Sequence, residues 1–167
     1  MSAVQTEQST LVPTGTWNVD SVHSAIRFDV IDVESLAKSV SGRFTAFEGT
    51  LEGDEQRLAG VVHTDSVNSD NEQRDAHLRT ADLLDTTRYP EIRFESTAVE
   101  HVEGDHYKLR GELTIKEIPV EIELDVKLHG LGSADGTDRL LFRVSGDIEW
   151  GPTRVDITAE ITAIRQQ

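Results

Sequence analysis

The sequence contains no cysteine, so disulfide bonds, thiolate nucleophiles and thiolate metal sites are all excluded. No apolar run is long enough to span a membrane as a helix, and stable membrane insertion is not expected. The N-terminal stretch MSAVQTEQST also lacks the basic and apolar regions of a signal peptide. These absences predict a soluble protein located in the cytoplasm.

Basic side chains are scarce: 16 lysines and arginines stand against 31 aspartates and glutamates, which gives a net charge of −15. A protein that binds nucleic acid needs a surplus of positive charge to neutralise phosphates, so nucleic acid is not an expected partner. Electrostatic docking on an anionic membrane is disfavoured for the same reason. The acidic surface is interpreted as one that keeps the protein soluble.

Recognisable catalytic and cofactor motifs are also missing. There is no GxSxG, no phosphate-binding loop and no GxGxxG, and the six histidines show neither HxH nor HExxH spacing. Pairs of carboxylates occur throughout so acidic a chain and therefore do not indicate acid–base catalysis. The sequence predicts no catalytic residue, no metal site and no cofactor.

The chain has the size of one domain, because 167 residues with 37% apolar side chains suffice for a substantial core. Residues 1–13 are small and polar and end at Pro13, which predicts a flexible N-terminal tail. Residues 14–165 are predicted to form the folded domain.

Apolar and polar residues alternate along most of the domain, which is typical of half-buried β-strands. In one early segment Ile26, Phe28 and Val30 share a face, while Arg27 and Asp29 share the other. About eight such segments, joined by short loops, favour an antiparallel sheet with one solvated face. Closing that sheet into a barrel removes its unpaired edges, although a two-sheet sandwich is an alternative. An eight-stranded barrel either fills itself with side chains or holds one small ligand.

Residues 67–96 interrupt this rhythm with the one helical segment of the sequence. Ser69 and Glu72 have the spacing of a capping box, and Pro90 excludes the helical conformation at Tyr89. The fold class is thus all-β, with eight antiparallel strands and a helical insertion between the third and fourth strands. The insertion is interpreted as a lid or rim, held by a charged network of Asp70 or Asp75 with an arginine (Arg74, Arg79 or Arg88).

Several ordered blocks of residues resemble one known family over about residues 15–164. They are Trp17-x-Val19-Asp20-x-x-His23-Ser24-x-Ile26-x-Phe28, Val40-x-Gly42-x-Phe44, Asp75-x-His77-Leu78-Arg79, Tyr89-Pro90-x-Ile92-x-Phe94 and Gly111-x-Leu113-Thr114-Ile115. This set is similar to the YceI-like family of polyisoprenoid-binding proteins. The resemblance implies a lipocalin-like barrel that binds a polyisoprenoid or another long apolar molecule in its interior.

The sequence departs from the family pattern in three places. It reads Ile31-Asp32-Val33 where the family commonly has a histidine, its turn at Gly151-Pro152-Thr153 is short, and it lacks the signal that many relatives carry. These departures concern the ligand, one rim of the barrel and the location, but not the fold.

Small residues on the inward faces, such as Gly111, Gly146, Ala159 and Ala163, would leave a tunnel or would pack against larger neighbours. The resemblance favours the tunnel. The expected function is the binding, storage or transport of a polyisoprenoid, an isoprenoid quinone or a fatty-acyl compound. The candidate ligand-binding residues are Trp17, His23, Ile26, Phe28, Phe44, Leu78, Leu83, Phe94, Leu113, Leu124, Phe142 and Ile157.

Other interpretations remain open at this point. His23 and Ser24, at a strand start, would bind the polar head of a ligand or would simply cap a turn. An enzyme acting on a lipid-like substrate would require His23, Asp75 and His77 to converge at the barrel mouth. A filled structural barrel would have no continuous cavity. A homodimer is compatible with the family resemblance.

Overall fold

The structure is a computed structural model that describes residues 10–32, 34–35, 38–81, 83–151 and 153–166. The strands are β1 (Thr16–Val19), β2 (Ala25–Asp32), β3 (Lys38–Phe44), β4 (Phe47–Glu52), β5 (Arg57–His63), β6 (Val67–Asn68), β7 (Glu91–Glu103), β8 (His106–Ile115), β9 (Ile118–Ala134), β10 (Thr137–Trp150) and β11 (Thr153–Arg165). A 3-10 helix spans Thr64–Ser66, and an α-helix, α1, spans Glu72–Leu78.

These segments occupy eight strand positions around a closed barrel. β1 and β2 behave as one interrupted strand because both pair with β11. β3 and β4 form the second position, pairing with β2 and β1, and β5 and β6 form the third. The remaining neighbours from β7 to β11 pair in chain order, and the contact of β1 with β11 closes the ring. The predicted eight-stranded antiparallel barrel is confirmed, and no separate second sheet is present in the described residues.

The helical insertion lies where it was predicted. Helix α1 follows β6 and precedes β7, so it falls between the third and fourth strand positions. Its seven residues form less than two full turns after Glu72. Such a short helix is stabilised by tertiary contacts rather than by its own propensity.

The alternating pattern places apolar side chains inside the barrel. Along β9, Ile122, Leu124 and Val126 are buried, while Glu123 and Asp125 between them are exposed. The strands β8 and β10 show the same alternation, and together they form one continuous apolar core. Ion pairs between charged residues, such as Arg110 with Glu123, cover the outer face.

The predicted tail is wrong at its last residues. Leu11 and Val12 are each only 1% exposed and belong to the core cluster. Their backbone N–H groups donate to Oε1 of Gln56 at 3.1 and 3.2 Å. An adjacent leucine and valine bury enough apolar surface to hold this short segment against the barrel. Residues 1–9 lie outside the described residues.

Strand pairing continues through most of residues 130–138, although this stretch is rich in glycine. β9 extends to Ala134 and β10 starts at Thr137, so only two residues form the turn. The register shifts between Leu141 and Phe142, opposite Gly130, whose φ is 156°. This conformation suits glycine and lets the ladder pass an irregularity without ending.

Candidate functional site

An apolar cavity of about 190 Å³ lies inside the barrel. Inward side chains from most strand positions line it, and Glu48 is the only charged residue among the described lining residues. Glu48 points outward, where its Oε1 lies 2.6 Å from His63 Nε2. The cavity therefore offers apolar surface and no buried charge, which suits a ligand that binds through hydrophobic contact.

Three inward glycines differ in the space beside them. A Cβ at Gly111 would lie 2.6 Å from the Phe94 ring, and one at Gly146 would lie 2.5 Å from Leu124 Cδ2. Larger neighbours thus fill both positions. At Gly60 the single contact within 4 Å would be the Glu48 carbonyl oxygen at 3.4 Å, and Gly60 lines the cavity. The open space lies beside Gly60 rather than beside the two glycines that the sequence suggested.

One end of the barrel is closed by tight packing. Trp17 is fully buried there, and its Nε1 donates to the carbonyl oxygen of Pro13 at 3.0 Å. The Arg165 guanidinium lies 4.6 Å from the centre of the indole ring, in a cation–π arrangement. Leu11 and Val12 complete this closed end from below.

The opposite end of the barrel is more accessible. Phe28 on β2 and Phe44 on β3 lie with their ring centres 5.3 Å apart, and both are only half-buried. Ile115 and Val120, on either side of the turn between β8 and β9, are also half-buried. Apolar residues that point inward yet meet solvent mark this end as the mouth of the cavity.

Part of the mouth has no continuous strand pairing. The pairing of β10 with β9 runs from Thr137–Ala134 to Ser145–Asp125. Beyond that point β9 pairs with β8 and β10 pairs with β11. The wall between β9 and β10 therefore opens toward the mouth, which widens access from one side.

The structure places half of the predicted ligand-binding residues on the wall of the cavity. Those that line the cavity are Ile26, Phe94, Leu113, Leu124, Phe142 and Ile157. Trp17 lies at the closed end, while Phe28 and Phe44 lie at the mouth. His23, Leu78 and Leu83 do not line the cavity, and Leu83 is 40% exposed.

His23 and Ser24 stabilise the loop between β1 and β2, where the chain leaves the strand. His23 Nδ1 lies 2.6 Å from Asp20 Oδ2, and the hydrogen bond to His23 lowers the pKa of the Asp20 carboxyl. The Ser24 hydroxyl accepts from the Thr162 N–H at 2.9 Å and donates to the Thr162 carbonyl oxygen at 3.3 Å. Ser24 thus supplies the acceptor for the Thr162 N–H where the strand is interrupted, and the Thr162 carbonyl oxygen also accepts from the Asp20 N–H at 2.8 Å. This geometry matches the turn-capping interpretation of these residues.

The insertion is anchored through a buried carboxylate. Asp75 Oδ1 accepts from the Ser69 N–H at 2.8 Å and from the Ser69 hydroxyl at 2.6 Å. Arg74 donates to the same hydroxyl at 2.9 Å and to the Ser69 carbonyl oxygen at 2.9 Å. The predicted network exists, but Ser69 joins its members. Asp70 pairs instead with Arg43 on β3.

The predicted helix cap is wrong by two residues. Asn71 is the N-cap of α1, and its side chain accepts from the Arg74 N–H at 3.0 Å. The Ser69 hydroxyl instead donates to Asp75 and accepts from Arg74 Nε. An asparagine satisfies a free N–H at the first turn as well as serine does, so the sequence alone did not distinguish the two.

Burial acts to raise the pKa of Asp75, but the hydrogen bonds from Ser69 and the charges of Arg79 and Arg74 act more strongly in the other direction. Its pKa therefore lies below the usual 3.8. A carboxylate that remains charged and accepts two hydrogen bonds from Ser69 serves as a structural anchor.

The residues proposed for an enzyme do not converge. His23 contacts Asp20, Asp75 contacts Ser69, and His77 is exposed on α1. Within the described ranges, no three histidine, aspartate or glutamate side chains are grouped to hold a metal ion. None of the helices in the described part of the chain is long and apolar enough to cross a membrane.

Sequence reasoning missed Gly60 as a residue that lines the cavity, and it missed Leu11, Val12 and Gln56 as residues of the closed end. The adjacent leucine and valine before Pro13 were a usable signal, because two bulky apolar residues stand side by side in an otherwise polar segment. No comparable signal distinguishes Gly60 from the other inward glycines, since that distinction depends on which neighbours reach it.

Comparison with known families gives one clear match. The model of the YceI-like domain matches residues 17–163. Protein YceI of Shigella flexneri is 32% identical over 143 residues, which cover 75% of this chain and 74% of that protein. The UPF0312 protein ECA1782 of Pectobacterium atrosepticum is 30% identical over the same length.

Solved structures share the barrel. The YceI protein of Campylobacter jejuni superposes with a TM-score of 0.72 at 22% identity and covers 78% of this chain and 88% of its own. A polyisoprenoid binding domain from Saccharophagus degradans, implicated in plant cell wall breakdown, gives a TM-score of 0.68 at 15% identity. It covers 90% of this chain and 98% of its own. At these identities the likeness is one of fold.

Proposed function

This chain belongs to the YceI-like family, and we propose that its barrel binds, stores or transports a long apolar molecule. The observation that carries the proposal is the apolar cavity of about 190 Å³ beside Gly60. The ligand class is a polyisoprenoid, an isoprenoid quinone or a fatty-acyl compound. The structural neighbour described as a polyisoprenoid binding domain supports this class.

The size of the cavity indicates how the ligand would be held. An apolar cavity of about 150 Å³ holds one benzene molecule, so 190 Å³ has room for about eight carbon atoms. At about 0.8 kcal/mol for each buried methylene, eight carbons contribute about 6 kcal/mol before association costs. That energy alone gives binding weaker than about 10 µM.

Tighter binding therefore requires contacts outside the cavity. Phe28 and Phe44 are suited to this role, since their half-buried rings lie at the mouth and present apolar surface to an emerging chain. We infer that the ligand places one apolar end in the cavity and lies across these two rings. A binding role is favoured over catalysis because His23, Asp75 and His77 each have separate surroundings.

The first experiment is organic extraction of the purified protein followed by mass spectrometry, together with a test of uptake of prenyl alcohols. A co-purified lipid with an apolar chain, or saturable uptake of farnesol, is expected. An empty protein that also takes up no prenyl alcohol and no fatty acid would show that the barrel is not a lipid carrier.

Gly60→Leu tests the location of the site. The added side chain points into open space, so it should fill the cavity, leave the fold intact and reduce farnesol affinity by at least tenfold. Gly132→Leu is the matched control, because nothing lies within 4 Å of a Cβ at that exposed position. Unchanged binding in Gly60→Leu, measured by displacement of a fluorescent fatty acid, would place the ligand elsewhere.

A further inference from the structure

We propose that residues 10–14, the N-terminal plug, close the bottom of the barrel and thereby set the length of apolar chain that the cavity accepts. This inference rests on the proposed function. It assigns a specificity-determining role to a segment that lies before the family's matched region, residues 17–163. The role follows from where the plug lies and from how it is held.

The plug belongs to the same buried cluster as part of the cavity wall. Leu51, Leu58 and Leu109 line the cavity and belong to the same buried cluster as Leu11 and Val12. An apolar chain that enters from the mouth therefore passes Gly60 and then meets the layer of side chains to which the plug contributes. Trp17 is fully buried at this end and donates to Pro13 of the plug, so the ligand chain can advance beyond that layer only if the plug releases Trp17.

Gln56 holds the plug with its whole amide group. Its Oε1 accepts from the N–H groups of Leu11 and Val12, while its Nε2 donates to the Val12 carbonyl oxygen at 2.6 Å. The same Nε2 donates to the Gly53 carbonyl oxygen at 2.6 Å, which fixes the amide in place. One side chain thus satisfies backbone groups of a segment that forms no strand of its own.

Two further contacts fix the ends of the plug. The Tyr107 hydroxyl donates to the Thr10 carbonyl oxygen at 3.0 Å, and Trp17 Nε1 donates to that of Pro13. The chain then crosses Gly53 so closely that a Cβ there would lie 1.8 Å from the Pro13 carbonyl oxygen. Any side chain at position 53 is incompatible with the seated plug.

The plug can therefore be released in two independent ways. Gln56→Ala removes its hydrogen bonds, and Gly53→Ala displaces it sterically. Matched controls exist for both: Gln73→Ala changes an exposed glutamine on α1, and Gly132→Ala adds a methyl group in open space. Both releases should uncover Trp17 and shift tryptophan emission to longer wavelength.

The experiment compares geraniol, farnesol and geranylgeraniol, which have ten, fifteen and twenty carbons, by displacement of parinaric acid from the full-length protein. With the plug seated, the affinities for farnesol and geranylgeraniol should differ less than threefold. The five additional carbons of geranylgeraniol would stay in solvent and would contribute little to binding. Each methylene that enters an apolar site raises affinity about fourfold. Plug release should therefore tighten geranylgeraniol binding at least tenfold while geraniol binding stays unchanged.

The outcomes separate the two proposals. If no alcohol binds the native protein, the proposed function fails and the role of the plug fails with it. If farnesol binds but both release variants keep the native chain-length profile despite shifted tryptophan emission, the plug does not set the length and only this inference is overturned. If Gly53→Ala does not fold, Gln56→Ala decides by the same criteria.

Discussion

The two ends of this barrel are built from the same alternating pattern but differ in packing. At the closed end Trp17 and Leu140 are fully buried, whereas Phe28 and Phe44 at the mouth remain half-exposed. The difference comes from what covers each end: the plug lies across one, and only the short insertion borders the other. Apolar alternation therefore makes a stable core where something caps it and an accessible surface where nothing does.

The closed end is expected to contribute mainly to stability, and the mouth mainly to ligand binding. Burial of a large aromatic residue contributes several kcal/mol to folding, so the closed end is expected to dominate the free energy of unfolding. The mouth contributes less to stability because its rings keep part of their contact with water. Its exposed apolar surface is what a ligand would cover.

The largest effect is expected from Trp17→Ala. Removing a fully buried indole ring, together with its hydrogen bond to Pro13, should lower the free energy of unfolding by about 3–5 kcal/mol. Urea denaturation followed by far-UV circular dichroism measures this loss. A loss below about 1 kcal/mol would mean that the closed end is not the stable half of the barrel.

The second effect concerns the insertion beside the mouth. Asp75→Ala leaves the Ser69 N–H and hydroxyl without their acceptor, which should cost about 2 kcal/mol. Hydrogen exchange should accelerate at residues 67–80 but stay slow at Leu109 and Leu140 in the closed end. Equal acceleration at both ends would show that they do not unfold separately.

Asp75 also predicts a dependence on pH. Because its folded pKa lies below 3.8, its contribution to stability is fully present above that pH and is lost as the pH falls through the folded value. Native protein should therefore be more stable than Asp75→Asn at neutral pH, and the difference should shrink below pH 3.8. A constant difference across this range would contradict the charged anchor.

The barrel could be predicted from the sequence because the alternation of apolar and polar residues is a local pattern, and it directly determines which side chains face the interior. The inward positions of β8 to β11 could be assigned residue by residue, and Phe142 and Leu124 do line the cavity. The predictions that failed concern positions whose surroundings are formed by residues distant in the sequence. Gly111 and Gly146 resemble Gly60 in sequence, but Phe94 and Leu124 fill the first two positions and no side chain fills the third.

The order of the plug also depends on a residue distant in the sequence. Leu11 and Val12 stand in a polar stretch, and only Gln56, more than forty residues later, reveals why they are ordered. The cap of α1 was misassigned for a related reason. Ser69 has the correct residue type and spacing, but its hydroxyl donates to Asp75 and accepts from Arg74 Nε, and that competition is not visible in a local pattern.

A smaller effect on stability is expected from Phe28→Ala at the mouth. The ring is half-buried against Phe44 and Gly42, so its loss should cost about 1–2 kcal/mol, well below that of Trp17→Ala. Farnesol affinity should nevertheless fall about tenfold, because a ring that the ligand covers is removed. A stability loss as large as that of Trp17→Ala, with unchanged farnesol affinity, would reverse the roles of the two ends.

The smallest effect is expected from His23→Ala, which lies at neither end. The imidazole is 61% exposed and contacts Asp20 on the outer face, and a surface pair of this kind contributes less than about 1 kcal/mol. Because the hydrogen bond from His23 lowers the pKa of Asp20, the small contribution is present above pH 3.8 and fades as the pH falls.

Farnesol affinity should be the same in His23→Ala as in the native protein, since a ligand that enters at the mouth never meets this turn. Ser24→Ala is the comparison variant, because it removes the hydroxyl that bonds to both backbone groups of Thr162 and so loosens β11 without altering His23. Displacement titrations on both variants measure the effect. Weaker binding in His23→Ala alone would place a ligand contact on the side wall, and entry at the mouth would then no longer explain the binding.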